Sequence, residues 1–141
     1  AVAAVSEGDV SESALWRYNE RVMDHFGARY AGLDVYNILS TAVDVDDLMG
    51  LLAALPGEKL ADALYSGSTS FGPTLLLKTI RESYGYWSRI LEFYRTKSVA
   101  DDLMAHYGRY PSRPEAIDVW QSERDRLMDR VYGVTGAEAK Y

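Results

Sequence analysis

Apolar residues recur along the chain at the three- and four-residue spacing of helices, and no segment alternates between apolar and polar positions as a strand does. The first helical stretch begins at Ser11, a residue type that caps helix N-termini, and its natural stop is Gly27. Its apolar stripe consists of Leu15, Tyr18, Val22 and Phe26. A second stretch covers residues 28–42, with the stripe Tyr30, Leu33, Tyr36, Ile38 and Leu39. The alternative is one kinked helix through both stretches.

Asp44 predicts the start of the next helix, because it can cap and because Asp46 and Asp47 suit the positive end of the helix dipole. Its buried face is expected to consist of Leu48, Leu51, Leu52 and Leu55, and Pro56 and Gly57 end it. A short helix over 58–65 follows.

A glycine- and serine-rich loop covers residues 66–72, and Pro73 then stands where a first helical residue is expected. The following residues, 74–96, form a long amphipathic pattern rich in aromatic side chains, with the stripe Leu76, Ile80, Tyr84, Trp87, Leu91 and Tyr94. Ser98 and Asp101 resemble a capping box that opens a further helix through Tyr107.

Residues 110–114 contain two prolines and predict a linker. Ser112 and Glu115 have the spacing of a capping box for the last helix, which runs to Gly133 before a frayed tail over 134–141. Its stripe consists of Ile117, Trp120, Arg124, Leu127, Met128 and Val131. The pattern therefore predicts one all-α domain of six or seven helices, one of them long, amphipathic and rich in aromatic residues.

Composition narrows the class of protein without naming a function. The 141 residues are 48% hydrophobic and 26% charged, which fits one globular domain, and there is no cysteine for a disulfide or a thiolate metal site. The net charge of −6 and the scattered basic residues argue against a nucleic-acid partner. No apolar run approaches the roughly 20 residues of a membrane-spanning helix, so we expect a cytoplasmic domain that at most lies on a membrane.

Candidate chemical groups all have structural explanations. His25 and His106 lie near predicted helix C-termini, where the dipole favours a histidine. The pairs Asp46–Asp47 and Asp101–Asp102 lie in predicted first turns, and neighbours on a helix point about 100° apart, so neither pair converges on one substrate atom. The loop over 66–72 is a connection or a mobile gate over a cavity. We therefore assign no catalytic, cofactor-binding or metal-binding residue.

Aromatic residues are the most distinctive feature of the composition: eleven Tyr, three Trp and three Phe. Most of those on the long helix fit its stripe, but Tyr86 and Phe93 lie off it. These two are predicted to face a partner domain, a long apolar ligand or a membrane interface.

Residues near the N-terminus carry a resemblance to a known family. An alanine-rich stretch precedes Glu7-Gly8-Asp9-Val10-Ser11, and Leu15-Trp16-x-Tyr18-Asn19-x-x-Val22-x-x-x-Phe26-Gly27 follows. This stretch resembles the region after the flavin-binding domain of geranylgeranyl reductases. Asp44-Val45-Asp46-Asp47-Leu48 and the aromatic helix are similar to the archaeal members, so the resemblance is expected to span the chain.

The resemblance implies that residues 1–10 end a helix from an upstream flavin-binding domain and that 11–133 form a C-terminal helical domain. Such a domain packs on the upstream domain of the same polypeptide and encloses the lipid site. The parent protein would use FAD to saturate the isoprenoid chains of membrane lipids. This sequence has no glycine fingerprint after a strand, so we expect that the chain alone neither binds FAD nor turns over substrate.

Two other classes of function remain open at this point. One is a free-standing helical interaction module that dimerises through its aromatic helix, and the other is a small carrier of apolar ligands. The charged residues also favour Arg over Lys, eleven to four, and Asp over Glu, twelve to nine. That bias is expected of a GC-rich genome and is compatible with the high-salt cytoplasm of a haloarchaeon.

Overall fold

A computed structural model of the chain describes residues 6, 8–9, 11–54, 57–58 and 87–138. These residues are helical or lie in turns, and no strand occurs among them. The α-helices are α1 (Glu12–Val22), α2 (Ala28–Ala42), α3 (Val45–Ala54), α4 (Trp87–Tyr107) and α5 (Ile117–Thr135). The all-α prediction is confirmed for this part of the chain.

The first two predicted stretches form one continuous helix. The side chain of Ser11 caps α1 as predicted, since its Oγ accepts a hydrogen bond of 3.3 Å from the Ala14 N–H. The predicted stop at Gly27 is wrong, because the π-helical turn Met23–Gly27 leads directly into α2. If α1, the π-helical turn and α2 are counted as one helix, the described residues form four helices, fewer than the six or seven expected of the whole chain.

The predicted capping box at Ser98 is also wrong. Ser98 lies in the interior of α4, and the next two residues, Val99 and Ala100, are buried. Lys97 and Asp101 form an ion pair across one helical turn there, so Asp101 supports the helix from inside instead of starting it. The predicted short helix over 58–65, the loop over 66–72 and most of the aromatic helix before Trp87 lie outside the described residues.

The last helix begins and ends differently from the sequence prediction. A 3-10 turn, Pro114–Ala116, precedes α5, and neither start has a capping side chain, so the box at Ser112 and Glu115 does not form. The helix continues past Gly133 to Thr135, so the predicted tail is helical at its start. Gly136 then ends the helix in the left-handed region, with φ 67°, a conformation that favours glycine.

The core lies between α2, α4 and α5. One cluster of buried side chains joins the three helices: Ala31, Val35, Val99, Ala100, Leu103, Leu127 and Val131. On α5 the predicted stripe is confirmed at Trp120, Leu127 and Val131. On α2 the predicted stripe is confirmed at Leu39, but Ala31 and Val35 take the other core positions, because the small side chain of Ala31 and not the ring of Tyr30 lies in the core.

The helix α3 begins where the sequence predicts, with Asp44 Oδ1 accepting a hydrogen bond of 2.9 Å from the Asp46 N–H. An ion pair links α3 to α4, since the Arg89 guanidinium of α4 lies 2.8 Å from the carboxylate of Asp47. Arg89 also pairs with Glu92 of its own helix at 2.8 Å. These two carboxylates raise the pKa of the Arg89 guanidinium, Glu92 more than Asp47. Among the described helices, none has the length and apolar character needed to cross a membrane.

Candidate functional site

An aromatic cluster joins the N-terminal helix to the end of the bundle. Trp16 stacks on Tyr110 with ring centroids 5.6 Å apart, and Tyr110 meets Trp120 edge to face at 5.1 Å. Trp120 in turn contacts Tyr107 at 5.0 Å and lies flat on His106 at 4.7 Å. Stacked and edge-to-face pairs of this kind add to the stability that burial alone supplies. The cluster therefore holds α1, α4, α5 and the loop between the last two in one arrangement.

Trp16 is the anchor of α1. Its ring is buried, and its Nε1–H donates a hydrogen bond of 2.7 Å to the carbonyl oxygen of Pro111, 95 positions along the chain. A buried indole with a satisfied N–H holds both the position and the rotation of the helix that carries it. The side of α1 that bears Trp16 therefore faces the bundle, and the opposite side faces away from it.

Most of the apolar stripe predicted for the first helical stretch lies away from the bundle, together with Tyr30 at the start of α2, while Val22 is half-buried. Leu15, Tyr18, Phe26 and Tyr30 are 39%, 57%, 48% and 62% exposed. Phe26 and Tyr30 contact each other with ring centroids 6.0 Å apart. An amphipathic helix ordinarily turns such a stripe toward the core, so the exposed stripe is an apolar face without a cover among the described residues. We call these four side chains the outer stripe.

A groove of about 550 Å³ borders the outer stripe at the π-helical turn. Apolar side chains form much of its wall, which includes Phe26 and Tyr30 of the outer stripe. The other lining residues with side chains beyond Cβ are Val22, Met23, Leu33, Asp34, Asn37 and Tyr107. Gly27 allows the turn to approach α4 closely, because a Cβ at this position would lie 3.0 Å from Met23 Sδ and 3.3 Å from Tyr107 Cδ1.

The hydroxyl of Tyr107 is the group in the groove wall whose pKa is shifted. Burial raises the pKa of the Tyr107 hydroxyl, and the nearby charges of Asp34 and Asp125 raise it further, while Arg124 opposes them. The phenol is therefore neutral near pH 7. Within the described ranges, no three histidine or carboxylate side chains converge as metal ligands do.

The residues that the sequence singled out for an outer surface are not brought together there. Phe93 is only 6% exposed and stacks on Tyr36 with ring centroids 5.7 Å apart, so the expectation that it faces outward is corrected. The reason is the register of α4, whose buried face runs through Ile90, Phe93 and Thr96. Tyr86 lies outside the described residues, and its interdomain or lipid-facing role stays a prediction.

The histidines and paired carboxylates take structural roles. His106 is buried in the aromatic cluster, whereas the exposed ring of His25 lies with Nδ1 2.9 Å from the carbonyl oxygen of Arg21 in the helix itself. Asp46 lies in the first turn of α3 as predicted. Asp101 and Asp102 do not lie in a first turn, and Asp102 instead pairs with Arg130 of α5 at 3.0 Å.

Sequence reasoning found three members of the outer stripe, Leu15, Tyr18 and Phe26, but it placed Tyr30 in the stripe of the second stretch and did not find the direction that the first stripe faces. The signal that could have shown it is Trp16, a large apolar residue one position after Leu15 and off the stripe. Two apolar faces of one helix cannot both pack against the same bundle. Trp16 takes the buried side because its ring is the larger one and its indole N–H finds an acceptor there.

Comparison with known proteins gives one relationship. The chain is 26% identical, over 132 residues, to a digeranylgeranylglycerophospholipid reductase of Sulfolobus acidocaldarius. The aligned region covers 90% of this chain but only 28% of that protein, so the chain spans little more than a quarter of its relative's length. No protein-family model matches the chain, and no solved structure matches it significantly.

These findings define the class of protein: a chain that is distantly related to geranylgeranyl reductases and is helical, without strands, throughout the part that the structure describes. The particular relative is the digeranylgeranylglycerophospholipid reductase named above, and the similarity extends over nearly the whole chain.

Proposed function

We propose that this chain is the helical domain of a geranylgeranyl reductase-like flavoprotein. In this proposal the domain packs on the flavin-binding part of the same polypeptide and closes one side of the site that holds the lipid's isoprenoid chains. The chemistry belongs to the parent protein, which saturates carbon–carbon double bonds, and this chain alone is inactive. The domain is cytoplasmic and rests on the membrane surface at most.

The similarity over 90% of the chain carries this proposal. A match that covers almost all of the chain and 28% of the relative is what one domain of a larger protein produces. The all-helical architecture supports it, because a helical domain can pack beside a nucleotide-binding domain without sharing its sheet.

We place the flavin outside this chain. FAD supplies hydride or electron transfer when it is bound, and its pyrophosphate is held by a glycine-rich turn between a strand and a helix. The described residues contain no strand, so they offer no turn of that kind. What these residues supply is apolar enclosure: the groove beside Met23 and Leu33 would exclude water from one side of a prenyl chain.

The test begins with the size of the native protein. An antibody against the 141-residue chain should detect a much longer polypeptide in the source cells. That polypeptide, once purified, should show the visible absorbance of a flavin, and the absorbance should bleach with reductant and recover on addition of a geranylgeranyl lipid. A polypeptide without flavin absorbance, or one of about the length of this chain, would refute the proposal.

The same preparation separates the proposal from its rival, a free-standing dimerisation module. The outer stripe gives that rival some support, since an exposed apolar face can also join two copies. A native protein no longer than this chain that sediments as a dimer at micromolar concentration would favour the module.

A further inference from the structure

The outer stripe has a direction and a position that point to a docking partner, and this inference rests on the proposed function. We propose that the outer stripe is the surface on which the preceding, flavin-binding part of the same polypeptide docks. The sequence pattern predicted Tyr86 and Phe93 for this role. The burial of Phe93 and the exposure of α1 move the interface to the first helix.

The outer stripe is long and continuous enough for a domain interface. From Leu15 to Tyr30 it follows one uninterrupted helical path through the π-helical turn, a distance of about 22 Å at the helical rise. The groove of about 550 Å³ lies beside the stripe and shares Phe26 and Tyr30 with it, so a partner docked on the stripe would cover one edge of the groove.

The face is held rigidly before any partner arrives. Trp16 fixes the rotation of α1 through its hydrogen bond to Pro111, and Gly27 lets Tyr107 of α4 pack against the π-helical turn. A preorganised surface loses little conformational entropy on docking. The rigid presentation of four apolar side chains is therefore better explained by a fixed neighbour than by an occasional contact.

The position of the stripe favours a neighbour in the same polypeptide. Leu15 comes four residues after Ser11, so the stripe begins about one helical turn from the cap that starts the helix. Tethering turns docking into an intramolecular event with a high effective concentration. The relative's length agrees with this choice of occupant, because most of that protein lies outside the region matched by this chain.

The charges beside the stripe argue against a lipid surface as the occupant. Between Glu12 and Tyr30 the chain carries three basic residues and three acidic ones: Arg17, Arg21 and Arg29, and Glu12, Glu20 and Asp24. A helix that lies on an anionic membrane is rich in Lys and Arg on its polar face. A mixed border suits the rim of a protein interface.

Hydrogen–deuterium exchange tests the proposal directly. Exchange of the backbone amides over residues 14–30 is compared between the 141-residue chain and the longer native polypeptide. We expect those amides to exchange at least tenfold more slowly in the longer polypeptide. The start of α5 around Val119, an apolar side chain that is 77% exposed, serves as the internal control and should exchange equally in both.

A pair of variants identifies the side chains responsible. Tyr18→Lys combined with Phe26→Lys should return the exchange of residues 14–30 in the longer polypeptide to the rate seen in the shorter chain. Val119→Lys, the matched control on another exposed apolar position, should leave the protection unchanged. All three substitutions lie at exposed positions, so circular dichroism of the shorter chain should show unaltered helix content in both variants.

Equal exchange in the two proteins would overturn the proposal, as would the absence of any longer polypeptide. Concentration-dependent protection of residues 14–30 in the shorter chain would assign the stripe to a second copy, and protection only with anionic vesicles would assign it to a membrane. The failure of the proposed function is a separate observation, because the absorbance of the longer polypeptide reports flavin whether or not the stripe is covered.

Discussion

The rings of His106 and Trp120 lie flat on each other with centroids 4.7 Å apart, and each residue also donates a ring N–H to the other's backbone carbonyl oxygen. The distance is 2.9 Å from His106 Nε2 to the Trp120 oxygen and 3.3 Å from Trp120 Nε1 to the His106 oxygen. Because a carbonyl only accepts, the His106 proton sits on Nε2. This reciprocal pair fastens the end of α4 to the start of α5.

Replacing His106 by Leu should lower the free energy of unfolding by about 1–2 kcal/mol, since a buried hydrogen bond and a stacked ring are lost together. Urea denaturation followed by circular dichroism measures the change. His25→Leu, on an exposed ring, is the matched control and should change stability by less than about 0.5 kcal/mol. Equal effects of the two substitutions would contradict the structural role of His106.

Two of the helical glycines, Gly27 and Gly133, should respond differently to alanine. A Cβ at Gly133 meets no atom within 4 Å, so Gly133→Ala should stabilise the protein by about 0.5–1 kcal/mol through helix propensity. At Gly27 the Cβ would press on Met23 and Tyr107, which cancels that gain. Thermal denaturation of both variants tests the contrast, and a Gly27→Ala protein as stabilised as Gly133→Ala would refute the close approach.

The free energy of unfolding should fall at alkaline pH because the hydroxyl of Tyr107 ionises. Burial raises the pKa of its hydroxyl in the folded state above the value of about 10 in an unfolded chain. The contribution of the neutral Tyr107 hydroxyl to the free energy of unfolding is therefore complete below about pH 10. It is lost as the pH rises from there through the pKa of the folded state. Burial raises the pKa of Tyr94 and Tyr110 in the same direction.

Urea midpoints measured between pH 9 and 12 test this sign. Tyr107→Phe should make the decline with pH shallower, because the substituted ring has no proton to lose in the unfolded chain. Tyr18→Phe, on an exposed ring of the outer stripe, is the control and should leave the slope as it is. A slope that is unchanged by Tyr107→Phe would contradict the predicted linkage.

The ion pair of Arg89 with Asp47 should hold α3 against α4. Arg89→Met is expected to cost about 0.5–1 kcal/mol at low salt, since the groups are partly exposed. The cost should shrink in molar KCl, where screening weakens the interaction. Arg126→Met removes an ion pair within α5 alone and serves as the control. Amide exchange in α3 should accelerate in the first variant only, and acceleration in both would reject the tie between helices.

Local signals in the sequence were sufficient for the starts of α1 and α3 and for the buried face of α5. Ser11 and Asp44 start helices where their side chains can accept backbone hydrogen bonds, and the stripe of Trp120, Leu127 and Val131 faces the core as its spacing predicts. Caps and periodicity act within a few residues, so they can be read without the fold. The resemblance to geranylgeranyl reductases was also visible in the sequence, and the distant match over 90% of the chain supports it.

What only the tertiary structure decided is which apolar face each helix buries. Leu15 and Phe26 form as regular a stripe as any in the chain, yet Trp16 turns α1 the other way through a partner 95 positions distant. Phe93 lies inside because Tyr36 of α2 receives its ring, and α4 continues through Ser98 because Val99 and Ala100 are needed in the core. Burial is a competition among all helices for one shared interior, and its outcome depends on contacts that no local pattern contains.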